Sequence, residues 1–485
     1  MHPEWGTITA AELIGPIQGK LVSGPQDIPF AGLSTDSRKA GPGALFWALK
    51  GERFDGHDFV QKAVQSGVSG VVICKTYLPR LQAEVEPDRT QNSPTVIAVK
   101  DTLKALGDLG RWWRRQYDVS VVAVTGSAGK TTTKEMCACI LEQGIPVLKS
   151  QGNFNNLIGV PLTLVRLTPG IAQVVLELGM NHPGEIARLT RITDPDLGVI
   201  TNVGKVHLEG LGSVEQVARA KGELLEESSP GTHIIVNGDD RLLMHVARRL
   251  RRDLITFGLG PQNHVSAGEI RGNTLDGVSF VLHYREGSWP VNLRVPGRHN
   301  VQNALAAAAA GFVAGADPEQ VVKGLEEFQG IKGRFTIERL SRGITMIDDT
   351  YNSNPEALRV SLETAKSLVP ERGRLLVALG DMLELGDAAE MEHKVAGRLV
   401  ADVGAAALVV LGNHAQDTIQ GAIEAGFSGK HITAVETHEQ MVKVLTHAAR
   451  EGDIVLFKAS QLMGLGKAVA LCKASMERER AADAL

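Results

Sequence analysis

The stretch Val119 to Glu135, VSVVAVTGSAGKTTTKE, limits what this chain can fold into more than any other. Val119, Val121, Val122 and Val124 make an apolar, β-branched run that reads as a buried strand, and it breaks at a glycine-rich turn that opens into helix-forming residues. Strand, glycine turn and helix in that order form a phosphate cradle. Gly126 and Gly129 permit backbone angles closed to other residues, so main-chain N–H groups can close around an anion at the positive end of the new helix. Lys130 adds a point charge, Thr131 a hydroxyl suited to Mg²⁺, and Ser127, Ala128 and Thr132 complete the loop. The usual G-x-x-x-x-G-K-[ST] pattern is not fully met, because Val124 stands at its first glycine.

A chain of 485 residues exceeds what one hydrophobic core serves, and about three domains are expected. Hydrophobic content of 43% with 22% charged residues excludes a disordered or fibrous chain, and a formal charge of −4 offers no basis for nucleic-acid binding. Four cysteines at scattered positions supply neither a disulfide framework nor zinc spacing. The opening MHPEWGTITAAEL lacks the regions of a signal peptide, and the alanine-rich run Ala304 to Ala316 is too short to span a bilayer. A cytoplasmic protein without membrane insertion is the expectation.

Before the phosphate loop, the pattern predicts a helix from Ile8 to Lys20, strands at Ala44 to Leu49, Val68 to Cys74 and Thr95 to Val99, a helix from Phe59 to Gly67, and a loop from Pro79 to Pro94. These make a small α/β unit over residues 1–100. After the loop, apolar strands at Ala172 to Leu178, Leu197 to Val203 and His233 to Val236 alternate with helices, which predicts a mostly parallel sheet over residues 101–331. From residue 332 to 485 five further strands, beginning at Ile344, Leu375, Ala407, Ile432 and Ile454, alternate with helices as in a Rossmann-like, doubly wound domain. The fold class is therefore α/β in three domains.

Ligands in such sheets collect beyond the carboxyl ends of the strands. Glu177 emerges there from VVLELGM, where a carboxylate must be paired, protonated or bound to metal. His207 follows ITNVG in the same way, as a ligand or as an ordinary capping histidine. Asn153, Asn155 and Asn156 crowd a loop that either turns the chain or meets substrate. Asn300 and Asn303 either read an adenine edge or cap their helix. Asp348, Asp349, Tyr351, Asn352 and Asn354 gather at the end of the third unit's first predicted strand.

Taken in order, STDSRK, LFWALKGERFDGHDF, TGSAGKTTTKE, GNFNNLIGVPLTL, ELGMN, NVGKVHLEGLGS, AKGEL, GRHNVQNALAA, KGRF, IDDTYNSNP and ALGDMLELG resemble the Mur ligase family over nearly the whole chain. The resemblance implies a small N-terminal substrate domain, a central ATPase domain and a C-terminal domain that caps the nucleotide. It implies an ADP-forming ligase that uses ATP and Mg²⁺, and FDGHDF, IDDTYNSNP and GDMLELG suggest the branch whose substrates are UDP-N-acetylmuramoyl-tripeptide and D-alanyl-D-alanine. Lys130 and the loop amides would hold the phosphates, Thr131 and Glu177 would take Mg²⁺, and His207 matches the histidine of a second metal. Lys221 matches a lysine that is carbamoylated in several members; unmodified, it would neutralise phosphate. Asn300 and Asn303 match the adenine region, Arg334 the arginine reaching the phosphates, and Asp349 a nucleotide contact. Ser34, Asp36, Ser37 and Arg38 match the uridine-nucleotide region, Asn153, Asn155 and Asn156 the path of the sugar-peptide, and Tyr351, Asn352 and Asn354 nucleotide or substrate contacts. A monomer is expected. The chain departs from the family's usual Lys-Gly-Ser-Arg, reading Lys458, Ala459, Ser460, Gln461, which removes a fixed cation from the dipeptide or closure region. Rival readings are a relative adding one amino acid or a glutamate, and a P-loop NTPase switch without ligase chemistry.

Overall fold

The computed structural model describes residues 4–51, 54–84, 93–206, 208–251, 253–340 and 343–483. Its strands form three sheets, one in each expected unit. The first orders Lys20–Ser23, Thr95–Val99, Gly70–Cys74, Ala44–Trp47 and Gly32–Ser34, parallel apart from the first pair. The predicted first helix is only Ala10–Ile14, capped by a reciprocal Thr9–Glu12 pair, and it stops at Gly15-Pro16, which cannot continue it. The expected loop from Pro79 begins instead as the helix Leu78–Glu84, because proline is tolerated in a first turn; residues 85–92 lie outside the described residues.

The central sheet has nine strands. Val147–Lys149, Gln173–Glu177, Ser120–Thr125, Leu197–Ile200, His233–Asn237, Leu254–Gly258 and the start of Val265–Thr274 run parallel, and Gly277–Tyr284 and Gly287–Leu293 close the far edge as antiparallel hairpins. The hairpins were not expected. Helix Lys130–Leu141 leaves the strand Ser120–Thr125 and packs against Arg298–Val313, whose Ala304, Ala306, Ala307 and Ala308 are fully buried. Small side chains let the two helices approach closely. Leu305, at 0% exposure, anchors this layer, and its truncation to alanine costs about 2–5 kcal/mol.

The third sheet orders Thr336–Arg339, Thr345–Asp349, Ile454–Lys458, Leu375–Gly380, Ala407–Leu411 and Ile432–Val435, all parallel except the first pair. Its strand order reverses at Ile454–Lys458, and the ends of Thr345–Asp349 and Ile454–Lys458 face the central unit's phosphate loop across one cavity.

Candidate active site

That cavity holds about 1440 Å³ and is lined by groups from all three units. Lys50 and Gly51 come from the first, the phosphate loop, Asn155, Glu177, Asn300 and Asn303 from the second, and Arg334, Asp349, Tyr351, Asn352, Asn354 and Lys458 from the third.

The phosphate loop is shaped by its neighbours. Gly126 and Gly129 have φ of 149° and 79°, and a Cβ on either would collide with Thr201 Oγ1 or Asn303 Oδ1 respectively. Asn202 braces the turn, its Oδ1 accepting from Ala128 N at 2.8 Å and its Nδ2 donating to the Ala128 carbonyl at 3.1 Å. The Ser127 hydroxyl accepts from Gly204 N at 2.8 Å. The first amides of helix Lys130–Leu141 lack intrahelical partners and belong to residues lining the cavity, which favours an anion there.

Lys130 folds back to donate to the Gly126 carbonyl at 2.8 Å. Burial lowers its affinity for a proton, Glu177 and Glu384 oppose that shift, and Arg334 adds to it. Glu177 is 3% exposed. Its Oε2 accepts from the Thr131 hydroxyl at 2.7 Å and its Oε1 from Asn155 Nδ2 at 3.0 Å. Among the described residues its hydrogen bonds come from neutral donors, and Lys130 acts on it by charge without forming a salt bridge, an arrangement a bound divalent cation would complete. No cluster of three or more His, Cys, Asp or Glu among the described residues could hold a metal by itself. One carboxylate and one hydroxyl suit Mg²⁺, which takes its remaining ligands from phosphates and water.

Lys221 is 2% exposed and makes no hydrogen bond or ion pair among the described residues. Burial, and then the charge of Lys130, lowers its pKa well below the ordinary lysine value. It does not line the cavity itself. His207 lies outside the described residues.

The remaining predicted residues divide into those poised at the cavity and those engaged in local structure. Asn300 Nδ2 donates to the Pro296 carbonyl at 2.7 Å and Asn303 Nδ2 to Asn300 Oδ1 at 3.3 Å, so the two amides stiffen each other beside Gly129. Arg334 stacks on the Tyr351 ring, 4.0 Å from its centroid, and its buried Nε has no partner. Asn354 caps helix Pro355–Ser367 by accepting from Ala357 N at 2.9 Å, and Asn156 accepts from Gly159 N at 2.9 Å. Ser34, Asp36, Ser37, Arg38 and Asn153 are not brought to the cavity. Asp36 is bound bidentately by Arg38, at 2.8 Å and 2.9 Å, and that guanidinium lowers its carboxyl to about 2.

Lys50, Asn202, His299 and Lys458 line the cavity and Glu384 acts on Lys130 by charge, yet none was singled out as a site residue in the sequence. Asn202 follows a strand but carries no distinctive spacing, Glu384 hides within GDMLELG, and Lys458 was legible only as part of a departure from pattern. His299 lines the cavity with a buried Nδ1 that has no partner, and burial lowers its pKa to about 4. Its position next to Asn300 was the one available signal.

A nucleotide-phosphate loop, a buried carboxylate and a third domain closing on both define an ATP-dependent ligase, and the chain belongs to the Mur ligase family. Residues 29–114 match the Mur ligase family catalytic domain, 124–311 the Mur ligase middle domain, and 333–461 the Mur ligase glutamate ligase domain. The UDP-N-acetylmuramoyl-tripeptide--D-alanyl-D-alanine ligase of Bacillus subtilis is 34% identical over 438 residues, covering 90% of this chain and 92% of its own. A crystal structure of MurF from Acinetobacter baumannii superimposes with a TM-score of 0.84 at 33% identity, covering 96% of this chain and 98% of that one. MurF ligase from Thermotoga maritima, in complex with ADP, gives 0.79 at 26% identity over 92% and 98%.

Proposed function

We propose that this chain joins D-alanyl-D-alanine to UDP-N-acetylmuramoyl-tripeptide, consuming ATP and giving the UDP-muramoyl-pentapeptide of peptidoglycan synthesis. The observation that carries the reading is the single cavity in which the phosphate loop of the central unit meets Lys50 of the first and Arg334, Tyr351 and Lys458 of the third. A switch that only binds and hydrolyses nucleotide has no need of groups from two flanking domains. The curated relative from Bacillus subtilis carries this activity in its name.

ATP transfers its γ-phosphoryl group to the free carboxylate of the tripeptide, ADP leaves, and an acyl phosphate remains. The dipeptide's amine then attacks the acyl carbon, phosphate departs, the amine loses a proton, and an amide bond has formed. Both steps crowd anions together, so positioning and charge neutralisation carry the catalysis. Lys130, swung from the Gly126 carbonyl, and the amides of Gly129 to Thr132 would hold the phosphates, with Arg334 reaching them from the domain junction. Thr131 and Glu177 would hold Mg²⁺, which when bound neutralises phosphate charge. Asn300, Asn303 and Asp349 would meet the nucleotide, Asn155 and Asn156 the sugar-peptide, and Tyr351, Asn352 and Asn354 the substrates at the third unit's edge. Ser34, Asp36, Ser37 and Arg38 remain the candidates for the uridine nucleotide, which would extend beyond the cavity, with Asn153 on the path between. His207 is the candidate for a second metal. A neutral Lys221 amine would add to the carbon of CO₂ and release a proton, leaving a carbamate anion able to stand near Mg²⁺.

We assign residues 1–100 to the UDP-sugar-peptide domain, 101–331 to the ATPase and 332–485 to the capping domain, in a monomer acting in the cytoplasm. Among the described residues no helix is long and apolar enough to cross a membrane. The test is phosphate release from ATP with each substrate omitted in turn. Release that requires both UDP-muramoyl-tripeptide and D-alanyl-D-alanine is expected; steady ATP turnover without either would sink the assignment.

A further inference from the structure

Lys134 is a lysine with 1% exposure on the helix that begins at the phosphate loop, one turn beyond Lys130, and the ligase chemistry assigns it nothing. A buried ammonium is costly unless it is paired and hydrogen-bonded, and a leucine or methionine would fill the same space without that cost. Lys134 has both partners. Its Nζ lies 2.7 Å from Glu135 Oε1 and donates to the Ser150 carbonyl at 2.7 Å.

Ser150 directly follows the strand Val147–Lys149, the outermost of the central sheet, which pairs on one side only with Gln173–Glu177. Edge strands leave carbonyls unpaired, and Lys134 caps one from across the helix–sheet interface. The rest of Ser150 is gripped by the neighbouring strand. Its amide donates to the Val175 carbonyl at 3.1 Å, and its hydroxyl accepts from Glu177 N at 3.3 Å. Five residues further on, Asn155 Nδ2 holds Glu177 Oε1, and the Asn155 carbonyl accepts from Gly179 N at 2.7 Å.

Glu177 is thus held from two directions: by Thr131 on the phosphate-loop helix and by Asn155 on the loop after Ser150. Lys134 is a direct polar tie between that helix and that loop. We infer that Lys134 is a positioning residue for the Mg²⁺ site: by clamping the Ser150 carbonyl to the phosphate-loop helix, it sets the separation at which Thr131 and Asn155 can grip both oxygens of Glu177 together. This rests on the assignment of Mg²⁺ to Thr131 and Glu177. Outer groups that orient a metal-binding carboxylate commonly change metal affinity by about 10–100-fold when removed.

The experiment titrates Mg²⁺ into the full-length protein with a non-hydrolysable ATP analogue, followed by calorimetry, so that no turnover is needed. Lys134→Met should raise the Mg²⁺ concentration for half-saturation about tenfold while analogue binding without metal is unchanged, and Lys134→Arg should recover most of the loss. Ser150→Ala, which keeps the clamped carbonyl and removes only the hydroxyl facing Glu177 N, should shift it in the same direction by less, and Lys134→Gln, whose shorter side chain loses the ammonium, carries the test if Lys134→Met fails to fold. Glu177→Gln separates the two ideas. A Mg²⁺ requirement untouched by Glu177→Gln overturns the metal assignment itself. A requirement that moves with Glu177→Gln but not with Lys134→Met or Lys134→Gln overturns the positioning role and leaves the assignment standing.

Discussion

The Lys458 ammonium stands 2.5 Å from the Asp349 carboxylate, joining two neighbouring parallel strands at their carboxyl ends, where the two residues are register partners. Lys458 is 2% exposed and also donates to the Asn352 carbonyl at 3.1 Å, while Asp349 accepts from Phe335 N at 3.1 Å and from the Ser361 hydroxyl at 2.5 Å. The pair therefore pins the segment Asp349–Asn354, which lines the cavity opposite the phosphate loop. Lys458→Met leaves Asp349 without its cation. A loss of about 3 kcal/mol in unfolding free energy is expected, read from urea melts, together with a raised KM for ATP. An unchanged melt would show that the pair adds nothing to the folded state.

Lys130→Ala removes the one lysine of the phosphate loop while leaving Asn202 and Ser127 to brace the turn. Loss of a cation that acts on developing phosphate charge costs about 10²–10³-fold or more in kcat. Because Lys130 is half-buried and its proton affinity is lowered by burial, its removal should leave the melting temperature within a few degrees of the parent. Retained ligation would refute the loop's assigned role.

His299 should make stability depend on pH. Burial lowers its pKa from 6.5 to about 4, against the opposing pull of Asp349. Between those values the unfolded chain binds a proton that the folded chain does not, so stability rises with pH across this window and is lost as pH falls through it. His299→Gln cannot titrate. The difference in unfolding free energy between parent and variant should change across pH 4 to 6.5 and flatten above it; a constant difference would show that the native histidine titrates normally.

The parts of this structure legible in the sequence are those written in local pattern. Strands Thr95–Val99 and Ser120–Thr125 were readable because both faces are covered and the residues between their hydroxyl-bearing ends are apolar. The strand Gly277–Tyr284 buries Val278, Phe280 and Leu282 in alternation with half-exposed Ser279, Val281 and His283, a period-two pattern rather than the continuous apolar run of the parallel strands. Lys20–Ser23 is an exposed edge strand, and Gly32–Ser34 is only three residues long. Asparagine is ambiguous for a different reason: Asn354 and Asn156 use their oxygens on helix-start amides, whereas Asn155 turns to Glu177, and nothing local distinguishes them. Pairs such as Lys458–Asp349 or Lys134–Ser150 depend on how strands and helices meet in space, which periodicity does not encode.

Gly129 is where backbone conformation and ligand chemistry meet most closely. It precedes helix Lys130–Leu141 with φ of 79°, and a Cβ would press on the Asn303 side-chain oxygen, which also accepts from the Thr133 hydroxyl at 3.5 Å. Gly129→Ala therefore carries two costs: about 1 kcal/mol for a left-handed non-glycine residue, and displacement of a buried amide beside the loop. The helix start can relieve both by tilting, which moves the amides of Lys130 and Thr131 away from the phosphates. Catalysis should suffer more than stability, because the charge stabilisation depends on sub-ångström placement whereas the surrounding core is untouched. The expected result is a fall of about 10²-fold in kcat/KM for ATP, with a melting temperature lowered by only a few degrees. Equal loss of folding and activity would mean that the glycine serves packing alone.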